Sequence, residues 1–256
     1  MKIILIGAGN VGTHLGTALS RSGHHIAAIY SRTEAHAQKL ANMLDTSWTT
    51  ALNGFDRDAD VYLFAVKDDA LPELIRMMPE TEGIWVHTAG SLGMQVFEGH
   101  KNRYGVFYPL QTFSRERQVD FSQIPLLLEA SDSQTYRLLE ELAACISKRI
   151  LEVSGEQRAR LHVAAVLACN FTNHLYALSS QVMKQAGLSL DLLHPLIQET
   201  TQKAIEHPPE SVQTGPAVRY DQKIIQKHTE LLSFAPKIRE IYKTLTNSIY
   251  RMYKSK

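Results

Sequence analysis

Near the amino terminus, Gly7-Ala8-Gly9-Asn10-Val11-Gly12 sets three glycines at G-x-G-x-x-G spacing, directly after the apolar run Lys2–Ile6. That spacing suits a loop that cradles a diphosphate. Gly7 makes the tight turn, Gly9 lets the main chain approach the anion, and Gly12 brings helix and strand close together. The N–H groups of Asn10 and Val11 would then open a helix whose dipole favours anions. A glycine turn with no ligand is the alternative. The strand before the loop and the helical pattern after it favour a dinucleotide site.

The residues about 20 positions on select the dinucleotide. An NAD site carries Asp or Glu there, to accept from the ribose 2′-hydroxyl. Here the stretch reads Tyr30-Ser31-Arg32-Thr33, with no carboxylate. Arg32 can pair with a 2′-phosphate and stack on adenine, with Ser31 and Thr33 as neutral donors, so NADP(H) is the expected cofactor. Thr33 also suits a plain N-cap for a helix from Glu34. Two further apolar runs end in Ala65-Val66-Lys67-Asp68 and His87-Thr88-Ala89-Gly90-Ser91. Ligands of parallel sheets bind outside the carboxyl ends of the strands. Ala65, Val66, Lys67 and Thr88 are therefore expected at the cofactor, and His87 and Ser91 at the substrate. Lys67 would otherwise be solvated loop, and His87 a core histidine.

A second polar group lies in the later half, within Arg160-Leu161-His162-Val163-Ala164-Ala165-Val166-Leu167-Ala168-Cys169-Asn170-Phe171-Thr172-Asn173. At about 100° per residue, Asn170 falls about 80° and Asn173 about 20° from His162 on a helix. The three form a polar stripe on an otherwise apolar helix. It reads either as an internal network between packed helices or as a catalytic face, with His162 as proton donor and the amides binding a carbonyl. Further on, Thr214-Gly215-Pro216 starts a helical pattern carrying Arg219. Thr214 serves as an N-cap there, or Thr214 and Arg219 receive a substrate carboxylate or phosphate. The remaining histidines, His36 among them, have no metal-ligand spacing and are read as surface or packing residues.

The elements that must position these residues change character along the chain. Strands are expected at Lys2–Ile6, His25–Tyr30, Ala59–Val66, Gly83–Thr88, Gly105–Tyr108 and Pro125–Glu129, with Lys148–Val153 at an edge. Helices are expected at Val11–Ser22, Glu34–Met43, Ala70–Met78 and Asp132–Ser147. Runs such as Val61–Val66 are apolar without alternation, which requires cover on both faces. The fold class is therefore α/β, a doubly wound, mostly parallel Rossmann sheet over residues 1–153. A smaller all-α domain is expected over 154–256, with helical patterns at Gly155–Gly187, Leu190–His207, Pro216–Ser233 and Pro236–Lys254.

The 256 residues are 44% hydrophobic, and 27 Lys and Arg against 26 Asp and Glu leave a net charge of +1. This balance argues against nucleic acid or a membrane surface as a partner bound through bulk positive charge. The apolar start stops at Gly7, too early for a signal peptide, and no run of about 20 apolar residues follows. Cys145 and Cys169 form no metal or redox motif. A reduced, cytoplasmic protein acting on a small molecule is expected.

With these residues in hand, the chain resembles a family grouped as NADP oxidoreductases, in which a Rossmann-like domain precedes a helical domain of unknown function. The likeness rests on Gly7–Gly12, His87-Thr88-Ala89-Gly90-Ser91 and Pro109-Leu110-Gln111-Thr112-Phe113. In the helical half it rests on His162-Val163-Ala164-Ala165, Asn170, Thr214-Gly215-Pro216 and Arg219-Tyr220-Asp221. More distantly the chain is similar to pyrroline-5-carboxylate reductase, ketopantoate reductase and the 6-phosphogluconate dehydrogenase-like enzymes. The resemblance implies a 6-phosphogluconate dehydrogenase C-terminal-like helical domain that completes the site and joins a homodimer. Departures are Leu161 where the family has Tyr, Tyr108 where it has His, and no Lys on the long helix before Lys184. An NADP(H)-dependent reductase of a small carbonyl or imine compound is the function implied. A non-catalytic NADP(H)-binding sensor or scaffold is the alternative, favoured by the missing Lys and by Leu161.

Overall fold

The computed structural model describes residues 1–114 and 117–254. Eight strands form one sheet: β1 (Lys2–Ile6), β2 (His25–Tyr30), β3 (Ser47–Thr49), β4 (Val61–Phe64), β5 (Ile84–His87), β6 (Tyr104–Pro109), β7 (Leu126–Ala130) and β8 (Ile150–Glu152). Their order is β3-β2-β1-β4-β5-β6-β7-β8. Only the β6–β7 pair is antiparallel. The chain winds outward from β1 to β3, returns to the other side of β1 and winds outward again. The carboxyl ends of β1 and β4 thus flank the switch point, where a crevice opens in such sheets.

Four helices cover this sheet: α1 (Asn10–Arg21), α2 (Glu34–Leu44), α3 (Leu71–Met77) and α4 (Ser133–Ala144). Alternate residues of β1 supply opposite faces. Ile3 and Leu5 pack with Leu15 and Leu19 of α1 and Leu139 of α4. Ile4 and Ile6 pack with Leu74 and Ile75 of α3 and with Phe97. Burial on both faces explains the unbroken apolar runs. The strand β3, absent from the sequence reading, is only three residues long and pairs with Ala28–Tyr30.

Helix α5 (Gly155–Ala165) opens with a capping box. The Ser154 hydroxyl accepts from the Gln157 main chain at 3.3 Å, and the Gln157 amide oxygen accepts from Ser154 N–H at 2.9 Å. A π-helical segment, Val166–Phe171, follows. The chain divides into two compact units, Met1–Leu167 and Ala168–Lys256, parting inside this helical run rather than where the strands end.

The second unit comprises α6 (Thr172–Gln185), α7 (His194–Glu206), α8 (Pro209–Val212), α9 (Pro216–Arg219), α10 (Gln222–Leu231) and α11 (Pro236–Tyr253). The pattern Pro216–Ser233, expected as one helix, is split. Tyr220 turns left-handed at φ 50°, and the Asp221 carboxylate caps α10 by accepting from Ile224 N–H at 3.3 Å. Among the described residues of this unit, only Ala217, Leu232 and Thr246 are buried. Phe171, Leu196, Ile205 and Leu231 are 56%, 64%, 74% and 64% exposed. Among the described residues, no helix is long and apolar enough to cross a membrane.

Candidate functional site

A cleft of about 930 Å³ opens at the carboxyl ends of the central strands, entirely within the first unit. Its floor is the glycine loop. Gly7 adopts φ 114°, and a Cβ there would strike the Ala65 carbonyl and the Val66 side chain. A Cβ on Gly12 would strike the Gly7 carbonyl, whereas one on Gly9 would meet nothing within 4 Å. Gly7 and Gly12 are thus fixed by packing, while the main chain at Gly9 faces open space. Gly9 is the N-cap of α1; it provides no side-chain cap, and the first turn holds no acidic residue. The Asn10 side chain donates instead to the Phe113 carbonyl at 2.9 Å, which ties down the loop after β6. Unblocked N–H groups at a helix start are the donor set that a diphosphate takes.

At one end of the cleft lie Tyr30, Ser31, Arg32 and Thr33, with His36 beside them. Tyr30 anchors the strand end, since its carbonyl accepts from Gly7 N–H at 2.8 Å. The Ser31 hydroxyl accepts from Thr33 N–H at 3.2 Å. Thr33 is the N-cap of α2 by position, yet its hydroxyl makes no cap bond. Arg32 is exposed at the rim. No carboxylate occupies Ser31–Thr33, so this end fits a nucleotide with an added phosphate. His36, read from sequence as surface or packing, lines the cleft instead. It lies on the first turn of α2, near Arg32 in sequence.

Ala65, Val66, Lys67 and Thr88 form the middle of the wall. Thr88 is fixed by its N–H and hydroxyl, which both donate to the Phe64 carbonyl, at 3.0 and 3.3 Å. Beyond Thr88 the cleft is lined by Gly90, Tyr108, Asp68 and His162. The Tyr108 hydroxyl lies 3.1 Å from His162 Nδ1, and the two rings meet edge to face. Burial, with the Asp68 charge added, pushes the Tyr108 phenol up from its usual 10.0 against the opposing effect of Arg158. Gly90 separates neither ring. A Cβ there would lie 2.7 Å from His162 Nδ1 and 3.1 Å from Tyr108 Cζ.

Arg158, one turn before His162, holds α5 in place. Its fully buried guanidinium bonds Glu129 Oε2 on β7 at 2.5 Å and the Leu92 carbonyl at 2.6 Å. Glu129 Oε1 in turn accepts from Gly155 N–H at 2.9 Å. One carboxylate therefore serves both the start of α5 and its buried charge. Sequence reasoning missed Tyr108, Gly90, Asp68 and Arg158 as site residues. Because β6 runs parallel to β5, the rule that placed Thr88 at the crevice could also have placed Tyr108.

Two candidates do not reach the cleft. His87, the last residue of β5, is fully buried and packs on Phe97 at 5.6 Å, while the next residue, Thr88, points to the opening. His87 Nδ1 accepts from Ala89 N–H at 3.1 Å. Burial, with Arg158 nearby, holds its imidazole down to about 4 from 6.5. Ser91 is exposed and donates to the Asp68 carboxylate, so it orients Asp68 rather than lining the cleft. Asn170, Asn173, Thr214 and Arg219 belong to the second unit and are exposed. The π segment changes the angular spacing of the polar stripe. Bonding from i to i+5 takes more residues per turn than the 3.6 assumed between His162 and Asn170.

Residues 1–110 match the model of a Rossmann-like domain, and residues 124–249 that of a domain of unknown function (DUF2520). No curated protein sequence matches the chain. Among solved structures, a putative NADP oxidoreductase from Bacteroides fragilis is 43% identical over 98% of each chain, with a TM-score of 0.93. A protein from Thermotoga maritima is 22% identical over 97% of this chain and 99% of its own, with a TM-score of 0.77. An imine reductase from Myxococcus stipitatus, solved with NADP+, shares the fold at 16% identity and a TM-score of 0.66, over 100% of this chain and 93% of its own. The chain belongs to the family represented by the Bacteroides protein, in which a Rossmann-like domain is followed by the domain of unknown function.

Proposed function

We propose that the chain is an NADP(H)-dependent oxidoreductase that reduces a small carbonyl or imine compound in the cytoplasm. The observation that carries this reading is a single cleft. It joins an unblocked helix start, an arginine without a carboxylate rival, and a hydrogen-bonded tyrosine–histidine pair. The N–H groups of the glycine loop would hold the diphosphate, and Arg32 with Ser31 and Thr33 the 2′-phosphate. A reduced nicotinamide, when bound, supplies a hydride. His162 supplies the proton that the acceptor needs as it is reduced. Asn170, Asn173, Thr214 and Arg219, on the second unit, carry the amide, hydroxyl and cationic groups that such an acceptor takes. The family relative named as an NADP oxidoreductase supports the cofactor and the reaction type.

A non-catalytic NADP(H) sensor is the second reading, favoured by the helix that carries His162 but no Lys before Lys184. NADPH bound tightly yet never oxidised across an acceptor panel would select it. The oxidoreductase reading also takes the chain as a homodimer joined through the helical unit, whose Leu196, Ile205 and Leu231 are more than half exposed. Apolar side chains left open to that degree support this reading. A monomer in light scattering at micromolar concentration would overturn this part.

The cofactor test is calorimetric titration with NADPH and then NADH. Charge-assisted bonds to a phosphate contribute about 1.5–3 kcal/mol, so Arg32→Ala should weaken NADPH roughly 10- to 150-fold and leave NADH unchanged. Failure of both nucleotides to bind at millimolar concentration would reduce the glycine loop to a turn and remove the proposal.

A further inference from the structure

The Tyr108–His162 contact is built from several directions. Tyr108 is the last residue but one of β6, and its hydroxyl meets His162 Nδ1 at 3.1 Å across 54 residues of sequence. The approach is possible because residue 90 lacks a Cβ. His162 is set by α5, which Arg158 and Glu129 fasten to β7. Both rings line the cleft that takes the glycine loop and Thr88.

A half-buried phenol under the influence of a carboxylate is a reluctant acid, and both burial and the Asp68 charge push Tyr108 that way. Such a phenol donates well only if its proton is replaced as it leaves. An imidazolium bonded to the phenol oxygen can do that. We propose that Tyr108 is the catalytic acid of this cleft, and that His162 is the proton reservoir behind it. The inference rests on the reductase reading above, and gives its proton a path.

The acceptor carbon gains a hydride from reduced nicotinamide, and the C=O or C=N electron pair moves onto the heteroatom. The Tyr108 O–H bond breaks as the heteroatom–H bond forms. The Nδ1–H bond of the His162 imidazolium breaks as the Tyr108 O–H bond re-forms. Tyr108 ends unchanged, and His162 ends neutral and regains a proton from solvent, to which it is partly exposed.

The imidazolium is needed, so turnover should be lower in alkaline than in mildly acidic buffer. The charged groups acting on the pair are Asp68 from the turn after β4 and Arg158 from α5, and Lys67 and Glu73 line the same cleft. Tyr108→Phe and His162→Gln leave all four in place, so a pH limb lost in either variant belongs to the pair.

The test uses NADPH with pyrroline as the imine probe and ethyl pyruvate as the carbonyl probe. Tyr108→Phe removes one oxygen. It should bind NADPH within about twofold of wild type in calorimetry, which also reports folding, while turnover falls about 10²-fold or more and the alkaline limb is lost. His162→Gln keeps the phenol and should likewise lose the limb. A readout independent of activity is ring 15N NMR of the protein without nucleotide, with the His162 signal assigned by its loss in His162→Gln. Loss of the phenol oxygen as hydrogen-bond partner should change the chemical shift of the His162 Nδ1 signal in Tyr108→Phe. Turnover of Tyr108→Phe within threefold of wild type, or a His162 Nδ1 signal that does not change, overturns the inference alone. No NADPH oxidation by wild type with either probe counts against the reductase reading, and the inference falls with it.

Discussion

Replacing His87 by Asn should make the protein less sensitive to acid. The His87 imidazole is fully buried beside Phe97 and held to about 4, whereas in the unfolded chain it titrates near 6.5. Its folded value is depressed, so the folded state keeps it neutral while the unfolded state takes up a proton between those two pH values. Stability from this residue is therefore complete above about pH 7 and is lost as pH falls through 6.5 toward 4. The gap of about 2.5 is worth about 3 kcal/mol in full at 1.36 kcal/mol per unit, of which about 2 kcal/mol is gone by pH 5. Asn offers its amide oxygen to Ala89 N–H, as Nδ1 does now, and has no titration of its own. The loss of ring packing on Phe97 costs the variant stability, but by the same amount at every pH. The assay is urea unfolding followed by circular dichroism at pH 7.5 and 5.0. Wild type should lose about 2 kcal/mol more between those conditions than His87→Asn. His24, also held down by burial and the N-terminal amine, titrates in both proteins and cancels. Equal losses, within about 0.5 kcal/mol, would refute the burial argument for His87.

Other substitutions test the frame around the cleft. Gly90→Ala puts a methyl 2.7 Å from His162 Nδ1, so the ring must shift; about 1–3 kcal/mol of stability should be lost in urea unfolding, and an unchanged midpoint would mean the two rings are loosely placed. Arg158→Met strands Glu129, which is 14% exposed, with Gly155 N–H as its remaining bond. The expected cost is about 3–5 kcal/mol, and Arg158→Met combined with Glu129→Gln should recover part of it because no unpaired charge then stays behind. A double variant as unstable as the single one would count against the ion pair as the anchor of α5.

The glycine loop and the Ser31-Arg32-Thr33 stretch were legible because they are local. A turn, a helix start and a strand end are specified by neighbours in sequence, and their residue types follow from backbone geometry. The same holds for the sheet, whose strands declare themselves by unbroken apolar runs such as Val61–Phe64. Ser47–Thr49 escaped because three residues are too few to show a period. The site beyond the loop was less legible. Tyr108 meets His162, and Glu129 meets Arg158, only after the sheet has brought residues 54 and 29 positions apart together. His87 and Thr88 are adjacent in sequence, yet opposite faces of β5 send one into an aromatic core and the other to the cleft. No composition rule separates them, because a strand alternates its side chains and only the packed sheet determines which face is open. The angular spacing of the polar stripe on the long helix was illegible for a related reason. Its 100° step assumes a regular α-helix, and the π segment at Val166–Phe171 is visible only in the folded backbone. The sequence by itself therefore determined which cofactor chemistry the chain can hold. Tertiary structure decided which distant side chains meet in the cleft, since that depends on contacts between strands and helices far apart in sequence.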